Sequence, residues 1–450
     1  MEDAAGQSAT LLSPCSVALA WLGIWRPPGG RRSGLGLPGA VFIAALDITI
    51  SSLALVQMLI DRPEDPADFR EVFFICSCGV SWSVKVVAFL LQGDRLERMV
   101  LSLLDAKTRF PDNGSRVREK YTAMAYTVWR MWQAMPAVTV LLWMADPLLQ
   151  TIISPPADNA TRPLIFWLPV QVHDSPAYEV TYAVEAFFIG TVSETSILMD
   201  IFLIILLVYA AGEIAVLNEN VARMGLTMQR ETAKAQPVES SSEKASMSKT
   251  RYVPSGDSPA ADVGAGGKGQ LPLLDGDDAL WDMYSALVTN IRHHQAIIAY
   301  INDLEVVLST SIYILLLTNA LNVCLHSFGL VAFVIIVFLQ LLAEGATSST
   351  VFKEVISFAS FLAQTALFCF FGQLIIDQAD RLQFSAFCCD WPDADESFRR
   401  SLRIFMARAT CPIKVTVGKL VELSRNTFLQ ALNASYTIFN MLFNLQTSDE

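Results

Sequence analysis

The chain has 450 residues, of which 53% are hydrophobic and only 17% charged, with a mean hydropathy of +0.41 and a formal net charge of −12. A soluble globular chain carries roughly 25% charged residues, so the composition points to a membrane protein with several spans. The acidic balance, with no basic stripe interleaved with aromatics, excludes a nucleic-acid-binding role.

Residues 11–25 are apolar, but Glu2 and Asp3 precede them where a secretory leader needs positive charge, and Arg26, Arg31 and Arg32 follow. Residues 1–39 therefore read as a cytoplasmic segment with an amphipathic stretch. A membrane helix needs about 20 mostly apolar residues. Seven runs qualify: 40–60, 71–92, 126–149, 182–213, 307–340, 355–376 and 426–445. The fourth and fifth exceed a simple span and are expected to bend or to project beyond the bilayer. The expected fold is all-α, a polytopic membrane protein with seven transmembrane helices and its termini on opposite sides.

Helices 1–4 occupy 40–213 and helices 5–6 occupy 307–376. Between them, 214–306 reads as a cytoplasmic loop. Its stretch 229–278, rich in Ser, Ala, Gly, Pro and Lys, buries too little apolar surface to offset chain entropy and reads as a disordered insertion. Gly264, Gly266 and Gly269 there match G-x-G-x-x-G. A dinucleotide site needs a strand before that pattern and a helix after it, and neither is expected. Residues 377–425 form a second cytoplasmic region, an anchor ahead of the last helix and tail at 426–450.

Charge bias orients the spans. With the N-terminus inside, the inner segments hold 26 of the 32 Lys and Arg residues, and the outer loops only Arg62, Arg70, Arg162 and Lys353. The C-terminus is then extracellular. The sequon Asn159-Ala-Thr161 falls in the second outer loop, where glycosylation is possible. No cysteine falls in an outer loop, so no extracellular disulfide is expected.

No constellation of catalytic residues, cofactor motif or metal site stands out. His293 and His294 are adjacent, and neighbours on a helix point to different faces, so helix packing is the expected role. Charges inside spans are more informative, because one at mid-bilayer costs at least about 2.5 kcal/mol. Asp47 and Lys85 lie at similar depth in the first two spans and could pair; Lys85 could instead snorkel to the interface or pair with Asp200. Glu185, Glu194 and Asp200 must face protein or water.

The outer halves of spans two, three, four and six carry a mixed lining: Phe73, Phe74 and Ser77; Val138 and Leu141; Phe187, Phe188 and Thr191; Phe361 and Thr365. Apolar and aromatic surface with a few hydroxyls suits a small, weakly polar ligand, and ordinary helix packing explains the same residues. In the last span Thr437, Met441 and Leu445 share a face, with Asn433, Asn440 and Asn444 nearby. Such a stripe marks either interhelical hydrogen bonds or a water-filled path gated by apolar rings.

The stretch Phe428-Leu-Gln-Ala-Leu-Asn-Ala-Ser-Tyr436 followed by Phe439 resembles the closing signature of insect odorant receptors. Other motifs of that family occur in order. They are Trp21-Leu-Gly-Ile-Trp25-Arg-Pro27; Ser175-Pro-Ala-Tyr178 to Tyr182; His293-His-Gln-Ala-Ile297 to Glu305; Phe371-Gly-Gln-Leu374; and Trp391-Pro to Phe398-Arg399 with Met406-Ala-Arg408 to Pro412. The resemblance covers nearly the whole chain apart from the insertion. It implies a tuning subunit of a ligand-gated, non-selective cation channel in the plasma membrane of an olfactory neuron's dendrite. Such a subunit binds a small volatile organic ligand and assembles with the odorant receptor co-receptor as a heterotetramer, the last helix of each subunit lining the pore. Aligned on that helix, Met441 and Leu445 match the family's hydrophobic gate and Asn444 the polar position beside it. The long insertion departs from most tuning subunits. A gustatory-type receptor channel shares the architecture, but its usual closing motif is absent. A secondary transporter would show inverted repeats with broken helices, which are not visible.

Overall fold

The structure, a computed structural model, describes residues 15–28, 35–60, 66–112, 116–153, 175–224, 276–340, 348–389, 391–392 and 394–448. They form ten helices and one small hairpin: α1 (Cys15–Trp21), α2 (Gly36–Ile60), α3 (Pro66–Leu91), α4 (Gly93–Arg109), α5 (Val117–Ile153), α6 (Ala177–Arg223), α7 (Gly276–Gln340), α8 (Ser348–Phe387), α9 (Glu396–Ala409), β1 (Thr416–Val417), β2 (Val421–Glu422) and α10 (Arg425–Ser448). The protein is an all-α polytopic membrane protein. Among the described residues, five helical stretches are long and apolar enough to cross a membrane: Gly36–Ile60, Val72–Leu91, Ala177–Arg223, Met283–Ser327 and Val355–Phe387. The other two expected spans, 126–149 and 426–445, fall within α5 and α10. Both carry more polar residues, Arg130 and Gln133 in the first and a row of asparagines in the second.

The core is organised around α6, which packs against α5, α7 and α8. Its residues Ile201, Phe202, Leu203 and Ile204 are each fully buried. A helix that is apolar all round is one enclosed all round. With 47 residues at about 1.5 Å each it is roughly 70 Å long, more than twice a ~30 Å hydrocarbon core. On its flank α1 and the turn after it bury Cys15, Leu19, Ile24 and Trp25, with Trp25 and Phe202 ring centroids 5.3 Å apart.

Residues 276–306, expected within a cytoplasmic loop with His293 and His294 on a helix, are helical throughout and continuous with the fifth apolar run. The reason is a periodic stripe, Met283, Leu287, Asn290, His294, Ile297, Ile301, Leu304 and Leu308, all buried. Steps of three and four keep these on one helix face. Against the same helix lies α4, whose own stripe of Leu96, Met99, Val100, Leu103 and Ala106 is buried. Most of the stretch expected to be a disordered insertion lies outside the described residues.

Beyond the core, a buried ion cluster ties three helices. Arg118 of α5 grips Glu213 of α6 with two hydrogen bonds, Nε to Oε1 at 2.9 Å and an outer nitrogen to Oε2 at 2.7 Å, and donates to the Phe110 carbonyl at 2.6 Å. His293 of α7 reaches the same carboxylate at 3.2 Å and stacks on Phe110, with centroids 4.3 Å apart. His294 points elsewhere, edge-on to Phe405 of α9. The two histidines therefore serve packing on separate faces, and no group of metal-ligating residues occurs among the described residues. In the last turn of α4, Lys107 lies over the Tyr209 ring at 4.9 Å. Burial pulls the Lys107 ammonium down to a pKa of about 8, with Glu213 opposing the shift.

The anchor region sets where α10 begins. Asp395 caps α9, its carboxylate accepting from the Phe398 amide at 3.0 Å, and α9 turns Phe398, Leu402 and Phe405 inward. The hairpin then docks on α7 through Gly418, whose amide donates to the Ser309 carbonyl at 2.9 Å. Gly418 has a φ of +61°, and a Cβ there would stand 2.7 Å from the Tyr313 ring, so only glycine fits. Arg425, the first residue of α10, pairs with Asp377 of α8 at 3.0 Å.

Candidate functional site

A cavity of about 140 Å³ lies between α3, α5, α6 and α8, similar in size to cavities that admit a benzene-sized molecule. Its wall is built at helical spacing: Phe74, Cys78 and Trp82 from α3; Trp132, Thr139, Val140 and Trp143 from α5; Ile189, Ser193, Ser196, Ile197 and Asp200 from α6; Ser360, Phe361 and Gln364 from α8, together with Ile75. Phe74 stacks on Trp143 with centroids 4.7 Å apart and meets Phe361 edge-on at 5.6 Å. His326 of α7 backs this aromatic group, stacked on Phe361.

One part of the wall is polar and charged. Lys85, fully buried, donates to both carboxylate oxygens of Asp200 at 3.0 Å and to the Ser196 hydroxyl. Gln364 Nε2 donates to Asp200 Oδ2 at 2.6 Å, and Gln364 Oε1 accepts from Asn319 of α7 at 2.9 Å. Asn319 also donates to the Thr365 hydroxyl at 3.2 Å. Of the partners open to Lys85 in the sequence, the structure selects Asp200. Asp47 is buried nearby, with Oδ1 lacking a hydrogen bond. Glu194, also on α6, accepts from Gln133 of α5.

Of the ten residues expected to line a ligand site, Phe74 and Phe361 are in the wall. Ser77 and Thr365 stand just behind it: the Ser77 hydroxyl donates to Asn322 at 2.8 Å, and the Thr365 hydroxyl to the Phe361 carbonyl at 3.0 Å. Phe73 is half-buried outside the wall, and Phe188 packs beside Leu46 and Val192. Thr191 turns its hydroxyl back to the Phe187 carbonyl. Val138, Leu141 and Phe187 are 45%, 62% and 61% exposed on the outside of the bundle. The wall takes Thr139, Val140 and Trp143 instead, because one residue along a helix is about 100° of rotation. The three tryptophans, the hydroxyls of Ser193, Ser196 and Ser360, and Gln364 were not anticipated. The signal for the serines was the step of three or four leading away from Asp200 on α6 and from Gln364 on α8.

The last helix offers a second candidate surface. Ser435 of α10 is buried and donates to the Ala320 carbonyl of α7 at 3.0 Å. On the opposite side, Gln430, Asn433, Thr437, Met441 and Asn444 are exposed, Met441 at 64%. Steps of three and four make this one polar face. Leu445 falls within α10, but its side chain lies outside the described residues, as does Asn159.

Comparison with known proteins follows the same outline. The profile of the family described as 7tm odorant receptor matches residues 65–436. Odorant receptor 85f of Drosophila melanogaster is 27% identical over 144 residues, 32% of this chain and 34% of that protein. Odorant receptor 10 of Aedes albopictus is 24% identical over 154 residues, 34% of this chain and 37% of that protein. The aligned region thus spans only about a third of these relatives' length. Among solved structures, the olfactory receptor OR5 of Machilis hrabei in complex with eugenol superposes with a TM-score of 0.69 at 14% identity, covering 98% of this chain and 99% of that one. The same receptor described without eugenol gives a TM-score of 0.67.

Proposed function

The chain belongs to the 7tm odorant receptor family, a family of receptors rather than enzymes, and from that premise we propose that it is a ligand-gated cation-channel subunit opened by a small volatile organic molecule. The observation that carries this reading is the polar face of α10, from Gln430 to Asn444, exposed among the described residues. The side-chain amides of Gln430 and Asn433 turned toward lipid would be left unsatisfied, whereas the same face toward a shared axis would line a water path. The cavity between α3, α5, α6 and α8 is the ligand site in this reading. The resemblance to a receptor solved in complex with eugenol supports it.

A contiguous set of contacts runs from cavity to pore helix. Gln364 holds Asp200 and Asn319, and Ala320, the next residue of α7, accepts from Ser435 of α10. In the proposed arrangement the five apolar stretches are joined by α5 and α10 to give seven spans. The N-terminus is inside, the C-terminus outside, and four subunits surround one pore, the odorant receptor co-receptor supplying the others. Met441 and Leu445 then form the apolar gate beside Asn444, in the dendritic membrane of an olfactory neuron, with Asn159 open to glycosylation.

The test is current recorded from cells expressing the chain with and without the co-receptor over an odorant panel, combined with cysteine substitution along α10. Thr437→Cys and Met441→Cys should be blocked by a water-soluble thiol reagent during odorant application, and Ser435→Cys should not. Surface-expressed protein with no odorant-evoked current, or modification of position 435 in preference to 437, would overturn the proposal. Epitope tags at both termini in intact cells should stain at the C-terminal end alone.

A further inference from the structure

Building on the ligand-site reading above, we infer that the cavity selects neutral ligands carrying a hydrogen-bond donor, an alcohol or phenol on an aromatic or apolar body, over ethers, esters and hydrocarbons of the same shape. The asymmetry of the Lys85–Asp200 pair carries the inference. Asp200 is part of the cavity wall and Lys85 is not. The cation stands behind its partner, so the pair presents its negative end to the ligand.

The carboxylate also has capacity left. It offers about four acceptor positions, of which Lys85 takes one on each oxygen and Gln364 takes a second on Oδ2. Oδ1 therefore holds a position that a ligand hydroxyl can fill. A hydrogen bond to an ionised acceptor is roughly twice as strong as one between neutral groups. The neutral donors in the same wall, the Gln364 amide and the serine hydroxyls, serve a ligand carbonyl or ether oxygen less well. A protonated amine is disfavoured for the opposite reason: Lys85 already neutralises Asp200, and a second cation would enter a dry site beside the first. Around this polar end the wall is apolar, with Phe74, Trp82, Trp132 and Trp143 to hold a ring.

The experiment uses four probes on one skeleton: 2-phenylethanol, its methyl ether, ethylbenzene and 2-phenylethylamine. Binding to the purified full-length protein is read by quenching of tryptophan fluorescence, since three indoles line the cavity, and the same four are applied in current recordings. The alcohol should bind at least about tenfold more tightly than the ether or ethylbenzene, and more tightly than the amine. Replacing both members of the pair, Lys85→Met with Asp200→Asn, should bring the alcohol to within about twofold of the ether and leave ethylbenzene unchanged. If that variant does not fold, the ranking by the unaltered protein decides. Equal affinity for alcohol and ether, a preference for the amine, or no quenching by the alcohol at millimolar concentration overturns the inference. The expected ranking without any current would instead preserve the ligand class and refute the channel reading. Currents with a flat ranking would do the reverse.

Discussion

Lys85 and Asp200 provide the sharpest test of the folded core, because both are out of solvent, at 0% and 1% exposure. Removing the cation alone, by Lys85→Met, leaves a carboxylate in a site whose remaining donor is the Gln364 amide. Loss of one partner from a buried pair costs about 3–5 kcal/mol, while replacing both by uncharged groups of similar volume is often near neutral. At about 2–4 °C per kcal/mol for a chain larger than a small domain, Lys85→Met should lower the melting temperature of the detergent-solubilised protein by roughly 10 °C. Adding Asp200→Asn should restore most of it, giving a coupling of about 2 kcal/mol or more in a double-mutant cycle. Asp47→Asn should be mild, since Asp47 has no hydrogen bond to Lys85 and one oxygen lacks any. The reasoning fails if Lys85→Met and the double replacement melt together, or if Asp47→Asn is as damaging as Asp200→Asn.

Other positions give independent checks. Arg118→Lys should lower surface expression nearly as much as Arg118→Ala, because an ammonium cannot grip Glu213 twice while also serving the Phe110 carbonyl; an unaffected Lys variant in a surface-biotinylation assay would refute this. Gly418→Ala should cost about 1 kcal/mol or more from the positive φ alone and, by displacing the hairpin from Tyr313, should reduce maximal current more than it shifts odorant sensitivity. Lys107 has a folded-state pKa of about 8 against an ordinary 10.5, so between those values the unfolded chain binds a proton that the folded one has released. Stability should therefore rise with pH across that window, and Lys107→Met should flatten that part of a melting-temperature profile.

The chain's membrane character and most of its helices were legible because the physics behind them is one-dimensional: about 20 apolar residues in a row, interrupted by loops. Boundaries were harder where the bilayer stops mattering. Residues 276–306 contain Arg292, Asp303 and Glu305 and so ended the apolar run, yet their inward stripe from Met283 to Leu308 continues the helix. That stripe was readable as a period of three and four. The charges scattered through it lower the mean hydropathy and mask that period.

The candidate site was less legible for a reason particular to membranes. In a soluble helix, apolar residues mark the inside, but lipid is as apolar as a protein core, so Leu141 facing out and Val140 facing the cavity look alike in sequence. The aromatic residues suffer the same ambiguity: Phe187 is on the outer surface while Phe74, Trp82 and Trp143 line the cavity. What breaks the ambiguity is polarity, since a group that must hydrogen-bond cannot face lipid. Asp200 was already constrained to face protein, and stepping back from it by three or four residues reaches Ser196 or Ile197, then Ser193 and Ile189, each of which is in the wall. On α8 the same step from Gln364 reaches Ser360 and Phe361. Polar residues inside apolar runs thus fix the rotation of each helix, and the aromatics that share their face follow. The exposed row on α10 obeys the same rule, because Gln430, Asn433 and Thr437 share a face opposite the buried Ser435. A polar face left exposed among the described residues calls for water or another subunit over it.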